Sequence, residues 1–447
     1  MKKIHLLFLP LSVLLLNACS STPSDLGAFS GNQPGQVAPR YDYLATFTVQ
    51  AGDTPASLQA ASGGKLVGWN GADCAATSSC QAVIGLNRGL TTLSVSTLET
   101  QLRRSVTLEA NRDQFSAGGA VTATIGGTRA TWADGSLLAW TGGTRATWAD
   151  GQYKPIPQNS QTWNTIRLQQ AQSLAPNLGA GVTVAVIDTG LDLTHPAFQG
   201  SLSDPSTWQD YYAGDAVPQD EGVLGTGGYG HGSNVAGIIL QIAPRAKIMP
   251  IRILGPDGSG DVLNVAKAIS WATAKGATII NLSLGSSSSS SVVQDAIKAA
   301  TAKNVVVVTS AGNGNLDKLT FPASLSSSFS NLLSVGSVDA NDVKSSFSNY
   351  SKDLEVMAPG ENVYAPAPGN LMAAWSGTSM SAPMVSGGLA LALGQPLKVS
   401  VSGLLQIGAR SSYNIYGVPL NAPYMGKLGF GRLDLAAFLT QAQSVEP

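Results

Sequence analysis

Four polar residues stand out by the company they keep. In the segment SGTSMSAP, residues 376–383, Ser379 lies among small residues and directly before the apolar, Gly- and Ala-rich run MVSGGLALAL. A serine at the N-terminus of a buried helix has open access and a dipole that favours developing negative charge, as a nucleophile requires. The same serine is equally an ordinary helix cap, so its reading depends on its partners. A nucleophilic serine needs a base, and the chain has three histidines, His5, His195 and His231. His5 falls in an N-terminal apolar segment and His195 in the turn LTHPAF, whereas His231 sits in GYGHGSNVAG, bracketed by glycines at the entry to a helix. The base in turn needs a carboxylate to orient it. The run VAVIDTG ends a buried strand with Asp188, where an acid is costly unless paired. Finally, VVVVTSAGNGN puts Asn313 just past another apolar strand. An amide there would donate to an oxyanion, although asparagine is also a common turn former.

Together these segments resemble the subtilisin-like serine proteases, the subtilase family. VAVIDTGLDLTHPAF is similar to that family's Asp motif, GHGSNVAG to its His motif, SGTSMSAP to its Ser motif and SAGN to its oxyanion motif. They occur in the family's order Asp, His, Ser, and the resemblance covers about residues 163–439. It implies a serine endopeptidase acting through an acyl-enzyme. Ser379 would attack the scissile carbonyl, His231 would relay the proton, Asp188 would hold the imidazole, and Asn313 would join the Ser379 N–H in binding the oxyanion. LGPDGSG, with Gly258, Ser259 and Gly260, resembles one edge that pairs with extended substrate; SLG, with Ser283, Leu284 and Gly285, resembles the other. Protein or peptide substrates are implied. The alternatives are a catalytically weak member serving as a binding scaffold and an esterase-type hydrolase, the latter opposed by the lack of G-x-S-x-G around Ser379.

The departures from the family carry expectations too. Ser233-Asn234 replaces the usual Thr-His, which is not catalytic. GIILQ runs straight into IAPRAKI, where many subtilisins insert a loop that holds a tight calcium, and Ala197 stands where a calcium carboxylate is expected. No cofactor is expected to be required; calcium stays open as a ligand, but its usual tight site is expected to be absent. Thr320, in LTFP, falls near the floor of the pocket for the residue before the cut, where glycine is usual. The serine run 286–291 reads as a flexible loop beside the cleft.

The elements that must position these residues follow from periodicity. Continuous Val/Ile runs (VTVAVID, KIMPIRIL, ATIINLSLG, VVVVTSAGN) alternate with amphipathic stretches such as VLNVAKAISWATAKG and VVQDAIKAATAKN. That pattern predicts an α/β fold: a mostly parallel sheet with helices on both faces, and ligands beyond the strands' carboxyl ends. The unit is expected over residues 161–447. Residues 41–115 read as strand, helix, strand, helix, strand and look like a subtilase propeptide, which would assist folding and block the cleft. Between them, at 116–160, GGTRATWADG occurs twice, at 126–135 and 142–151, with Trp132, Trp140 and Trp148 spaced eight apart. The turn signals predict a β-meander linker. The cut that frees the mature enzyme is expected between about residues 111 and 120.

The chain has 447 residues, 12% of them charged, with a net charge of −1. Nothing in that balance suggests nucleic acid or an anionic membrane surface as partner. Residues 1–18 read as an export signal of lipoprotein type, ending before Cys19 as the lipidated residue, with 19–40 as a flexible tether. The membrane would then be met only through a lipid anchor, and the protein is expected in the cell envelope or outside the cell, as a monomer. Cys74 and Cys80 would close a small disulfide loop in an oxidising compartment or remain as buried thiols; no neighbouring His or second Cys pair suggests a metal.

Overall fold

The computed structural model describes residues 41–69, 80–87, 94–111, 113–117, 156–223, 227–369 and 371–445. The export segment, Cys19, Cys74 and the GGTRATWADG repeat lie outside the described residues. Cys80 is disulfide-bonded.

The first unit runs β1 (Tyr43–Thr48), α1 (Pro55–Ser62), β2 (Lys65–Trp69), β3 (Gln81–Leu86), α2 (Val95–Leu102) and β4 (Thr107–Ala110). The start and stop of α1 are set locally. Thr54 and Ser57 cap each other reciprocally, Pro55 fits the first turn, and Gly63 ends the helix at φ 68°. The four strands form an antiparallel sheet in the order β2-β3-β1-β4. This is one strand more than the sequence pattern predicts. The extra one, β2, has no clean alternation and carries a register shift between Leu66 and Gly68. One face of the sheet (Ala45, Phe47, Ala82, Ile84) packs with Leu58, Leu98 and Leu102 of the two helices. The opposite face sends Leu44 and Val67 into the core of the second unit.

After β4, β5 (Asp113–Ala117) leaves this sheet, so the expected boundary at 115 falls inside a strand. The second unit contains α3 (Ser160–Thr165), α4 (Leu168–Leu174), β6 (Thr183–Asp188), β7 (Gln209–Asp210), α5 (His231–Ile242), β8 (Lys247–Arg252), β9 (Ser259–Asp261), α6 (Val262–Ala274), β10 (Ile279–Leu282), β11 (Leu284–Gly285), α7 (Ser291–Ala302) and β12 (Val306–Ser310). Beyond these come β13 (Leu332–Val338), β14 (Val356–Pro359), the hairpin β15 (Val363–Ala367) and β16 (Leu371–Trp375), and α8 (Thr378–Leu393), α9 (Val401–Arg410) and α10 (Leu435–Gln443). Just before α3, Ile156 is buried, and fully buried Asn159 bonds both the N–H and the carbonyl of Tyr364.

The main sheet has seven strands in the order β14-β13-β12-β10-β6-β8-β7, every pair parallel. Alternate residues of one strand enter different cores. Val184 and Val186 join the cluster containing α5 and α8, while Ala185 and Ile187 join that of α6 and α7. Burial on both faces is why these strands read as unbroken apolar runs. The strand order reverses at the β6/β10 boundary. At such a switch point the loops leaving adjacent strands diverge and open a crevice at their carboxyl ends.

The serine run is not simply a loop. Ser286 bridges Phe321, and Ser290 caps α7 by accepting from the Val293 N–H. Glu109 of β4 reaches the same helix end, accepting from Ser290 Oγ and from the N–H groups of Ser291 and Val292 at 3.1–3.3 Å. Asn111 Oδ1 likewise accepts from the Leu263 N–H at the start of α6. Two helix N-termini, each with unsatisfied donors, thus receive their acceptors from the first unit.

Candidate active site

Asp188 closes β6 on one side of the switch point, and Ser283 follows β10 on the other. Next to Asp188, the start of α5 comes so close that a Cβ at Gly232 would lie 2.1 Å from the Gly190 carbonyl oxygen. Only glycine there lets His231, first residue of the helix, reach Asp188. His231 Nδ1 lies 2.7 Å from Asp188 Oδ1, with both side chains fully buried. Asp188 Oδ1 also accepts from the Thr189 N–H. The imidazole stands edge-on to Trp375 at 5.6 Å, and its Nε2 has no partner.

Asp220 and Thr189 support this pair, and sequence reasoning missed both. Asp220 accepts from Thr189 Oγ1 and from the Gly230 N–H. Thr189 Oγ1 in turn accepts from the Gly232 N–H. The loop after Asp188 and the start of the His231 helix are thereby tied together. Burial pushes the Asp220 carboxyl well above the usual carboxylate range, outweighing the two hydrogen bonds that favour its charge. His195 serves elsewhere, with Nδ1 accepting from the Ala197 N–H and Nε2 on the Leu371 carbonyl. Ser233 and Asn234 bond Asp192 and Ala373, structural tasks that do not touch His231.

Ser379 is the second residue of α8. Its Oγ donates to the Ser283 carbonyl at 3.0 Å, not to His231. Pro383 lies one turn later and has no N–H, so the Ser379 carbonyl receives no ordinary helical bond from it. Ser283 Oγ takes that place, donating to the Ser379 carbonyl at 2.8 Å. Behind it, Asn281 Nδ2 donates to Ser283 Oγ and Ser386 Oγ donates to Asn281 Oδ1. Asn313 is fixed by its oxygen. Oδ1 accepts from both the N–H and the hydroxyl of Thr378, leaving Nδ2 as the free donor beside the start of α8.

The two predicted substrate edges lie either side of β5. That strand is antiparallel to β9 and to β11 in a three-stranded sheet, with Ser116 opposite Ser259 and Gly285, and Ala117 opposite Leu284. The Ala117 N–H donates to the Gly258 carbonyl at 2.8 Å. Phe115 is buried, its ring 6.0 Å from that of Phe321. Burial of such a side chain contributes about 1.5–3 kcal/mol. Thr320 fills the gap behind the edge. Cβ atoms at Gly285 and Gly312 would each lie 2.6 Å from its side chain.

A profile of the Subtilase family matches residues 179–402, half of the chain and all four polar residues. The chain belongs to the subtilase family. Among its relatives, Subtilisin Savinase of Lederbergia lenta is 36% identical over 244 residues, covering 52% of this chain and 84% of the relative. Thermitase of Thermoactinomyces vulgaris is 35% identical over 267 residues, or 58% and 86%. Alkaline elastase YaB of a Bacillus species is 35% identical over 222 residues, or 48% and 54%. This subtilase is a serine endopeptidase whose substrates are proteins or peptides. The calcium expectation concerns Ala197 and the link from α5 to β8. Ala197 offers no carboxylate, and only four residues separate α5 from β8. Among the described residues no group of three or more His, Cys, Asp or Glu side chains converges. No described helix is long and apolar enough to cross a membrane.

Proposed function

We propose that the protein is an exported endopeptidase made as a self-inhibited precursor, with Asp188, His231 and Ser379 as its triad and Asn313 as its oxyanion donor. Residues 41–117 act as the intramolecular inhibitor. The observation that carries this reading is β5, hydrogen-bonded between β9 and β11 as an extended substrate would be. Catalysis starts when Ser379 Oγ turns about χ1 from the Ser283 carbonyl to His231 Nε2. It then attacks the scissile carbonyl as His231 takes its proton, and Asp188 stabilises the imidazolium. The oxyanion is held by Asn313 Nδ2 and the Ser379 N–H. His231 returns the proton to the leaving amine, and water repeats the sequence on the acyl-enzyme.

The register of β5 supports a particular cut. Ser116 is opposite Gly285 and Ala117 opposite Leu284; one further step is Ser283, joined to Ser379 by two hydrogen bonds. Self-cleavage is therefore assigned after Gly118. The lipid on Cys19 would leave with the inhibitor, and the repeat would stay on the mature enzyme. Intact mass and N-terminal sequencing of the active form are expected to give Gly119 as first residue, with Ser379→Ala left uncut. A mature N-terminus within 152–163 would refute this assignment.

Thr320, packed against Gly285 and Gly312, favours small side chains before the cut. Thr320→Gly is expected to raise kcat/KM for a phenylalanine at that position over alanine by about 10-fold, given ~1–3 kcal/mol for a well-filled apolar pocket. An unchanged ratio in paired peptides would remove Thr320 from this role. The missing calcium ligands support a catalytic unit independent of that ion. EDTA should move the thermal midpoint by less than about 2 °C, equivalent to less than roughly 1 kcal/mol. A large fall that calcium reverses would show a site elsewhere.

A further inference from the structure

We propose that Asn349 is a positioning residue for the oxyanion donor, setting the aim of Asn313 without touching the reacting atoms. This rests on the role of Asn313 given above. Asn313 lies between Gly312 and Gly314, in a loop whose glycines leave the backbone many conformations. A preorganised donor is effective only if it points at the developing charge before the reaction, so something must remove that freedom.

Asn349, 1% exposed, grips the loop on both sides of Asn313. Its N–H donates to the Gly312 carbonyl at 2.9 Å, and its Nδ2 donates to the Ala311 carbonyl at 3.1 Å. Its Oδ1 accepts from the N–H of Gly314 at 3.0 Å and of Leu316 at 2.9 Å. Every side-chain hydrogen bond of Asn349 thus ends on residues 311–316, and none ends on Asn313 itself. Gly312 has φ +104°, and a Cβ there would lie 2.5 Å from Asn349 Nδ2. The amide fills the space that any other residue at 312 would need. Neighbours extend the grip, as the Asn315 N–H donates to the Phe347 carbonyl and the Tyr350 N–H to the Leu316 carbonyl. Thr378 then fixes the Asn313 amide itself. The donor's direction is set by two independent clamps, one of which is Asn349.

A double-mutant cycle tests this, using full-length protein after self-cleavage has run to completion by intact mass. The variants Asn349→Ala, Asn313→Ala and the double are assayed for kcat and KM on a peptide substrate. Asn313→Ala is expected to lower kcat by about 10²–10³-fold, as loss of this donor does in a related subtilisin. Asn349→Ala should lower kcat roughly 10-fold with KM within about twofold, and in the Asn313→Ala background it should cost less than about twofold, because there is no donor left to misaim. If Asn349→Ala lacks a cooperative thermal transition, Asn349→Asp, which keeps the acceptor and loses the bond to Ala311, is put through the same cycle. Equal losses in both backgrounds, an unchanged kcat, or a rise in KM alone would overturn the positioning role. Wild-type kcat in Asn313→Ala would overturn the oxyanion assignment and this inference with it.

Discussion

Replacing Ser379 with alanine is expected to lower kcat on a peptide substrate by on the order of 10⁶-fold, the loss that removal of this hydroxyl causes in a subtilisin. The hydroxyl makes one hydrogen bond, to the Ser283 carbonyl, and the link from Ser283 Oγ to the Ser379 carbonyl does not depend on it. Stability should therefore change by about 1 kcal/mol at most. With the inhibitor removed from both proteins, in the variant by added wild-type enzyme, pairing the two readings separates chemistry from folding: thermal midpoint nearly constant, turnover gone. Hydrolysis surviving within about tenfold of wild type would mean that Ser379 is not the nucleophile, and a wild type that itself shows no turnover would favour the scaffold reading.

Asp188→Asn should cost about 10⁴-fold in kcat with the architecture intact, the magnitude found when a triad aspartate loses its charge. The site explains why an isosteric change is so damaging. Asp188 is fully buried, and its Oδ1 receives both His231 Nδ1–H and the Thr189 N–H. An amide oriented to donate would push the imidazole proton to Nε2, where it could no longer accept from Ser379. An amide oriented to accept would keep the tautomer but lose the negative charge opposite the imidazolium. Steady-state kcat, with a circular dichroism check of fold, measures the effect. A loss below tenfold would show that Asp188 only spaces the ring.

The positions proposed for the triad were legible because each sits at an element end that the sequence itself marks. Asp188 ends an unbroken apolar strand, His231 follows a glycine at a helix start, and Ser379 opens an apolar helix. What escaped was decided by tertiary context. The segment DQFSA has one large apolar residue and no strand pattern of its own; it is extended because β9 and β11 offer it hydrogen bonds on both edges. In the same way β2 was hidden by its register shift. Asp220, Asn281 and Asn349 look like loop or strand polar residues, and only the fold shows what they reach across tens of positions to hold. The cap at the end of the serine run escaped for a related reason: a cap is defined by the helix that follows and by its partner, here Glu109, which lies 181 residues from Ser290.

Pro383 places helix stability and turnover in competition. A proline inside a helix is about 3 kcal/mol less favourable than alanine, so Pro383→Ala is a substitution that a search for thermostable variants would select. Its new N–H would bid for the Ser379 carbonyl, the acceptor now held by Ser283 Oγ. The helix would gain a bond at the expense of the tie from Ser283 to the backbone of the proposed nucleophile. Engineering for robustness at this position would thus trade against function, and a proline that looks like a flaw in α8 is the reason its first turn is free to serve the cleft.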